Sequence, residues 1–166
     1  MDYEFFMLKA IKEARQALNK GEFPVGCVMV YKNRVLVTGA RHHSGPEKLN
    51  ELDHAEMFAL RRLVDMEKKI DREGVTLFST LEPCLMCYAA SIINGIRKIV
   101  YAYEDVMGGG TDIDLTGLNP FYRNTEITVI PHILRHESLM LFKRFFSDPQ
   151  NTYLRGSLLA QYTLDQ

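Results

Sequence analysis

Apolar residues recur along this chain with the periods of helices and of strands. From about Asp2 to Lys20 they return at helical spacing, and Gly21 follows as the expected stop. Two β-branched runs come next, at 25–31 and 35–39, and the short polar stretch between them predicts a hairpin. The chain is therefore expected to begin with one amphipathic helix and a pair of antiparallel strands.

Beyond residue 52 the pattern alternates helix and strand. Helices are predicted at 54–68, 84–94 and 134–146, and strands at 75–79, 98–102 and 126–130. Such alternation predicts an α/β fold whose sheet is covered by helices on both faces. Because no repeat or linker interrupts the pattern, we expect a single domain over residues 1–166, with 146–166 as a C-terminal helical extension.

Composition is that of a soluble globular protein, with 166 residues of which 46% are hydrophobic and 25% charged. Three cysteines argue against a disulfide framework and favour a reducing cytoplasm. The N-terminus lacks the basic region of a signal peptide, and the longest uncharged run, 83–96, is too short to span a bilayer, so no membrane partner is expected. The net charge of −1 gives no global signature of nucleic-acid binding.

Two short runs carry most of the candidate chemistry. They are Asp53-His54-Ala55-Glu56 and Pro83-Cys84-Leu85-Met86-Cys87. One imidazole and two thiols form a ligand set that Zn²⁺ prefers, and catalytic zinc commonly uses three protein ligands. Cys84 and Cys87 share a helix face, and Pro83 suits a first helical position. A helix N-terminus there favours the thiolates that zinc needs.

Other interpretations of the Cys84–Cys87 pair remain open from spacing alone. A lone C-x-x-C is typical of a redox pair or of half a structural four-cysteine site. The only other cysteine, Cys27, lies in an apolar strand and is expected to be a small buried hydrophobe. Neither interpretation explains Glu56, two residues after His54.

The order H-x-E followed by P-C-x-x-C resembles the zinc-dependent cytidine/deoxycytidylate deaminase superfamily. The resemblance implies a three-layer α/β/α fold of the cytidine deaminase type, with a five-stranded mixed sheet and the zinc between two helix N-termini. It also implies that His54, Cys84 and Cys87 hold Zn²⁺ with water as the fourth ligand. Glu56 would be the catalytic residue that moves protons between water, ring nitrogen and departing amine.

Within the superfamily, the chain resembles the branch of tRNA-specific adenosine deaminases and guanine deaminases. The matching stretches are Pro24-Val25-Gly26, Asn33-Arg34-Val35, Thr80-Leu81-Glu82-Pro83-Cys84, Asp105 and Phe145-Phe146. The resemblance implies that Val25 and the backbone around Ala55 form part of a base pocket, although Val25 also suits ordinary strand core. Asp105 is expected either to meet a ribose hydroxyl or to cap the loop at Gly108.

Two features depart from the tRNA enzymes. Where those enzymes carry an Asn that hydrogen-bonds the target base, this chain has Arg41, which either binds a phosphate or carboxylate or lies solvated at the surface. The tail from Ser147 to Gln166 also lacks the basic character of the tRNA enzymes, where phosphate contacts supply affinity.

The leading hypothesis is a zinc-dependent hydrolase that deaminates a small nucleobase, nucleoside, nucleotide or related heterocycle. The alternative is deamination of adenosine to inosine in tRNA. A non-catalytic zinc-stabilised subunit is a third hypothesis, and it is disfavoured because Glu56 is present. Superfamily members commonly form dimers or larger assemblies, so a homo-oligomer is expected.

Overall fold

The computed structural model describes residues 1–67 and 70–166. In that part of the chain the strands are β1 Gly26–Tyr31, β2 Arg34–Ala40, β3 Val75–Leu81, β4 Lys98–Tyr103 and β5 Thr128–Ile130. The α-helices are α1 Tyr3–Asn19, α2 Ala55–Val64, α3 Leu85–Ile93, α4 Pro120–Arg123, α5 Arg135–Ser147 and α6 Leu158–Asp165. None of these helices is both long and apolar enough to cross a membrane.

The strands form one mixed sheet in the order β2-β1-β3-β4-β5. β1 runs antiparallel to both β2 and β3, whereas β4 runs parallel to β3 and to β5. The parallel step from β3 to β4 requires a crossover, and α3 supplies it. The predicted fold class, a five-stranded mixed sheet with helices, is confirmed.

The sheet separates two apolar layers because successive strand residues point to opposite faces. In β1, Cys27 and Met29 face a core cluster that includes residues of α2 and α3. Val28 and Val30 face the other cluster, which α1 supplies with Phe6 and its neighbours. All seven residues of β3 are buried, so the strand that leads to the second cysteine motif lies at the centre of the molecule.

Local sequence explains several element boundaries. The carboxylate of Asp2 accepts a hydrogen bond of 3.0 Å from the Phe5 amide and so caps α1. Lys32 and Asn33 take φ values of 49° and 59°. A two-residue hairpin turn of type I′ needs positive φ at both positions, and Asn tolerates this conformation well. The predicted hairpin therefore forms with a two-residue turn.

Some predicted boundaries were wrong. The helix predicted for 54–68 ends at Val64, while Lys68 lies outside the described residues. Pro83 is not the first helical position, because Cys84 is the N-cap of α3 and the Pro83 carbonyl accepts from the Gly110 amide instead. The short α4 was not predicted, because one turn is too brief to show a helical period.

Candidate active site

The site lies where two helices begin. α2 follows the loop that leaves β2, and α3 follows the end of β3. His54 and Cys84 are the N-cap residues of these helices, and neither side chain caps its own helix. Both side chains are therefore available for another partner. Gly39 of β2 allows α2 to come this close, because a Cβ there would collide with the Ala55 carbonyl oxygen.

The three predicted ligands converge on one point. His54 Nδ1 lies 3.5 Å from Cys84 Sγ and 3.5 Å from Cys87 Sγ. All three ligand atoms fall within 4.8 Å of one another. Atoms bound tetrahedrally to zinc at about 2.0–2.3 Å lie about 3.5 Å apart, so the spacing fits the ion without rearrangement. His54, Cys84 and Cys87 are positioned to bind a metal ion.

The electrostatics of the cysteine pair favour a cation. A hydrogen bond from Cys87, together with contact to His54, lowers the pKa of Cys84 to about 4 despite burial. The same hydrogen bond and burial raise the pKa of Cys87. The first proton is therefore lost more easily from Cys84 than the second is from Cys87. A bound dication favours release of that proton and gives two thiolate ligands.

Glu56 lies beside the ligands and is buried, with 3% of its surface exposed. Its Oε1 accepts a hydrogen bond of 2.8 Å from Ser79 Oγ, and its Oε2 lies 3.6 Å from Cys87 Sγ. Burial raises the pKa of Glu56, although the neighbouring His54 opposes the shift. A carboxyl group with a raised pKa is a stronger base than an ordinary carboxylate, which suits it to proton transfer.

A cavity of about 190 Å³ is lined by His54, Glu56 and Cys84, while Cys87 is fully buried. We call His54, Glu56, Cys84 and Cys87 the ligand cluster. A second set of lining residues comes from the loop before α2 and from the C-terminal segment, and we call it the tail wall: Arg41, Glu51, Tyr153, Leu154 and Leu159. The cavity thus has a chemical side and a side contributed in part by the tail.

The four predicted substrate residues, Val25, Arg41, Ala55 and Asp105, all line this cavity. Arg41 is only 2% exposed, so its interpretation as a solvated surface residue was wrong. It is buried because Asn50 and Glu51 supply acceptors for its guanidinium. Asp105 accepts from the amides of Met107 and Gly108 at 3.0 and 2.9 Å, which is the loop-capping arrangement. Burial also raises the pKa of Asp105.

Sequence analysis missed the role of Glu82, which is 7% exposed. Its Oε1 accepts from the Thr111 amide at 3.2 Å and from the Thr111 hydroxyl at 2.5 Å, and its Oε2 accepts from the Asp105 amide at 3.2 Å. Glu82 therefore fixes the loop from Asp105 to Thr111 against the site. The sequence offered one signal for this role, since Glu82 is a carboxylate that directly precedes the Pro83-Cys84 motif.

Comparison with known proteins identifies the family. Residues 1–103 match the model for the cytidine and deoxycytidylate deaminase zinc-binding region. The chain is 34% identical over 148 residues to a tRNA-specific adenosine deaminase of Bacillus subtilis, covering 87% of this chain and 89% of the relative. It is also 34% identical over 149 residues to tRNA-specific adenosine deaminase 2 of Xenopus tropicalis, covering 85% and 86%.

Solved structures agree with the fold. A structure from studies of A-to-I editing by tRNA:A34 deaminases superposes with a TM-score of 0.63 at 28% identity, covering 82% of this chain and 98% of that one. A guanine deaminase from Nitrosomonas europaea superposes with a TM-score of 0.63 at 19% identity, covering 86% and 83%, which is a likeness of fold alone.

Proposed function

This chain belongs to the cytidine and deoxycytidylate deaminase family, and we propose from that premise that it converts adenosine to inosine in tRNA. Membership of the family makes it a zinc-dependent deaminase, which cleaves a C–N bond by hydrolysis. The adenosine assignment is supported by relatives named tRNA-specific adenosine deaminases that match most of the chain. The observation that carries the chemistry is the buried Glu56 carboxyl beside His54, Cys84 and Cys87 at one cavity.

When bound by these three ligands, the metal would lower the pKa of water and stabilise developing negative charge. The protein supplies the proton transfers. Glu56 accepts a proton from the attacking water and delivers it to a ring nitrogen of the base. Glu56 then accepts the second proton of that oxygen and delivers it to the amine, so that the C–N bond breaks, a C=O bond forms at the ring carbon and ammonia leaves. The Ser79 hydroxyl orients the carboxyl throughout.

The substrate base is proposed to enter the cavity against Val25, Ala55 and Asp105, which line it. Val25 offers an apolar surface of the kind that binds the face of a base. Asp105 already accepts two backbone amides, and its remaining oxygen is proposed to meet a ribose hydroxyl. These roles follow the family resemblance and are tested by substitution at each position.

A small nucleobase, nucleoside or nucleotide is the second candidate substrate, and a specific observation favours it. Arg41 stands where the tRNA enzymes have a base-binding Asn, and the tail carries Arg155 against Asp148 and Asp165. Phosphate contacts from Lys and Arg provide much of the affinity for nucleic acid. A tail without net positive charge contributes little to such affinity.

Ammonia release separates the two candidates. Zinc-loaded protein is incubated with an unmodified tRNA and with a panel of adenine, guanine, cytosine, their nucleosides and their nucleotides. Release from tRNA, with inosine detected in the RNA and affinity that falls steeply with salt, is the expected result. Release from one small molecule alone would transfer the assignment to the second candidate. Absence of release from every substrate would contradict both.

We also propose a homo-oligomer in the cytoplasm. Val64 of α2 and Leu85 and Ile93 of α3 are 44%, 55% and 58% exposed, and these two helices carry the ligand motifs. Contact with a second copy would cover them. Light scattering tests the assembly, and a monomer at micromolar concentration would refute it.

The cytoplasm is favoured because the thiolate ligands require a reducing compartment.

A further inference from the structure

The imidazole of His54 has contacts on both of its nitrogens. Nδ1 faces the two cysteine sulfurs at 3.5 Å, whereas Nε2 lies 3.5 Å from Glu51 Oε2. Glu51 comes from the loop before α2, three residues ahead of His54. The two ring nitrogens therefore face different groups: Nδ1 faces the metal site, and Nε2 faces a carboxylate.

The Glu51 carboxylate is itself held in place. Arg41 Nη2 donates to Oε2 at 2.8 Å, and the Tyr153 hydroxyl donates to the same oxygen at 3.0 Å. Although the side chain of Glu51 is 55% exposed, both donors come from neighbours that line the same cavity. Three groups thus converge on one carboxylate oxygen.

Arg41 is fixed more firmly than a surface arginine. Its Nη1 donates to the Asn50 carbonyl at 2.8 Å, and its amide donates to the Val25 carbonyl at 2.9 Å. Its guanidinium carbon lies 5.5 Å from the centre of the Tyr153 ring, within the range of a cation–π contact. Within the described residues its Nε has no hydrogen-bond partner. The guanidinium is therefore held in place by its two Nη groups and by the Tyr153 ring.

Histidines that bind metal commonly donate their second ring N–H to a carboxylate, which fixes the tautomer and the ring orientation. We propose that Glu51, held by Arg41 and Tyr153, is the positioning residue that directs Nδ1 of His54 toward the metal. The inference rests on the zinc site of the proposed function. It also gives the C-terminal segment a role in the metal centre, since Tyr153 belongs to that segment.

The test measures zinc affinity by competition with a chelator, in the full chain and without any substrate. Glu51→Ala is expected to weaken zinc binding by about 10–100-fold, the usual effect of losing such a carboxylate. Glu51→Gln, which keeps the size of the side chain, is expected to show an intermediate loss. Tyr153→Phe removes only one hydroxyl and is expected to show the smallest loss.

Glu47→Ala is the matched control, because Glu47 is an exposed carboxylate of the same loop. It removes the same charge and is expected to leave zinc affinity unchanged. Cobalt substitution gives a second signal, since the visible spectrum of Co²⁺ reports ligand geometry. The spectrum is expected to change in Glu51→Ala and to match the wild type in Glu47→Ala.

Zinc affinity and a cobalt spectrum that are both unchanged in Glu51→Ala would overturn the proposal. An Arg41→Met variant that raises KM alone, with normal zinc affinity, would also overturn it by assigning the arginine to substrate binding. Failure of the proposed function is a separate outcome. If the wild-type protein releases no ammonia from tRNA, the effect of Glu51 on zinc affinity can still be measured.

Discussion

The ligand cluster, through His54, Glu56 and Cys84, and the tail wall border the same cavity, yet the chain builds them differently. In the ligand cluster, each short motif sits at the start of a helix that follows a strand, so the backbone directly delivers the side chains. In the tail wall, Arg41 meets Tyr153 across 112 positions of sequence. Local backbone geometry therefore positions the ligand cluster, whereas long-range packing shapes the rest of the cavity.

Two buried glutamates that line the cavity differ in the hydrogen bonds they accept. Glu56 accepts one hydroxyl hydrogen bond, from Ser79. Glu82 accepts hydrogen bonds from two backbone amides and from the Thr111 hydroxyl, so three donors hold its carboxylate in place. Both oxygens of Glu82 are thus tied to the loop, whereas Oε2 of Glu56 has only the Cys87 sulfur nearby, at 3.6 Å. Glu56 therefore suits catalysis, and Glu82 suits support of a loop.

The largest expected effect is on turnover. Glu56→Ala should reduce kcat by about 10²–10⁴-fold, because the proton transfers lose their carrier. Zinc content should stay at the wild-type level, since the three ligands remain. Ammonia release and metal analysis on one sample measure both. Glu126→Ala, at an exposed carboxylate far along the chain, is the control and should retain activity. A Glu56→Ala variant that deaminates at the wild-type rate would show that Glu56 does not carry the protons and that the ligand cluster does not contain the catalytic group.

The next effect concerns the tail wall and appears in stability. Leu159 is 1% exposed, and its truncation to Ala should lower the free energy of unfolding by about 2–5 kcal/mol through the cavity that is left. Leu164→Ala, in the same helix at 48% exposure, should cost far less. Chemical denaturation of both variants measures the difference. Equal effects would mean that α6 does not pack onto the domain in solution.

The same contrast decides how much the sequence could predict. His54, Cys84 and Cys87 stand in motifs whose spacing and position at helix starts are visible in the chain, and the structure brings them together. Arg41 could not be placed, because its burial depends on a carboxylate that folds back from the following loop and on Tyr153 from the tail. Periodicity predicts which face of an element is apolar, but not which distant segment covers it.

A smaller loss of stability is expected in the loop that Glu82 supports. Thr111→Val removes one hydroxyl from a buried carboxylate and should cost about 1.5–3 kcal/mol, the usual value for a hydrogen bond to a charged group. Thr116→Val is a matched control, because its hydroxyl donates to Asp114 at an exposed site. Thermal and chemical unfolding compare the two. A cost for Thr116→Val as large as that for Thr111→Val would show that burial of Glu82 does not matter.

The smallest effect depends on pH and tests how the tail is anchored. Burial alone would raise the pKa of Glu104, but hydrogen bonds from Arg135 and from Tyr162 of α6 outweigh it and lower the pKa to about 2. A carboxyl whose folded pKa is depressed stabilises the fold above its unfolded pKa, and that contribution disappears as pH falls through the folded value. The contribution should therefore fade between about pH 4.5 and pH 2.

Glu104→Gln measures this contribution as a difference in the free energy of unfolding from the wild type. We expect about 1 kcal/mol or less at pH 6, because the pair is partly exposed and solvent screens it. The difference should shrink as the pH is lowered toward 2, since the wild-type carboxyl then becomes protonated. Glu126→Gln, at an exposed carboxylate, should show no such trend. A difference that stays constant over this range would mean that hydrogen bonds rather than charge hold Tyr162 and α6 against β4.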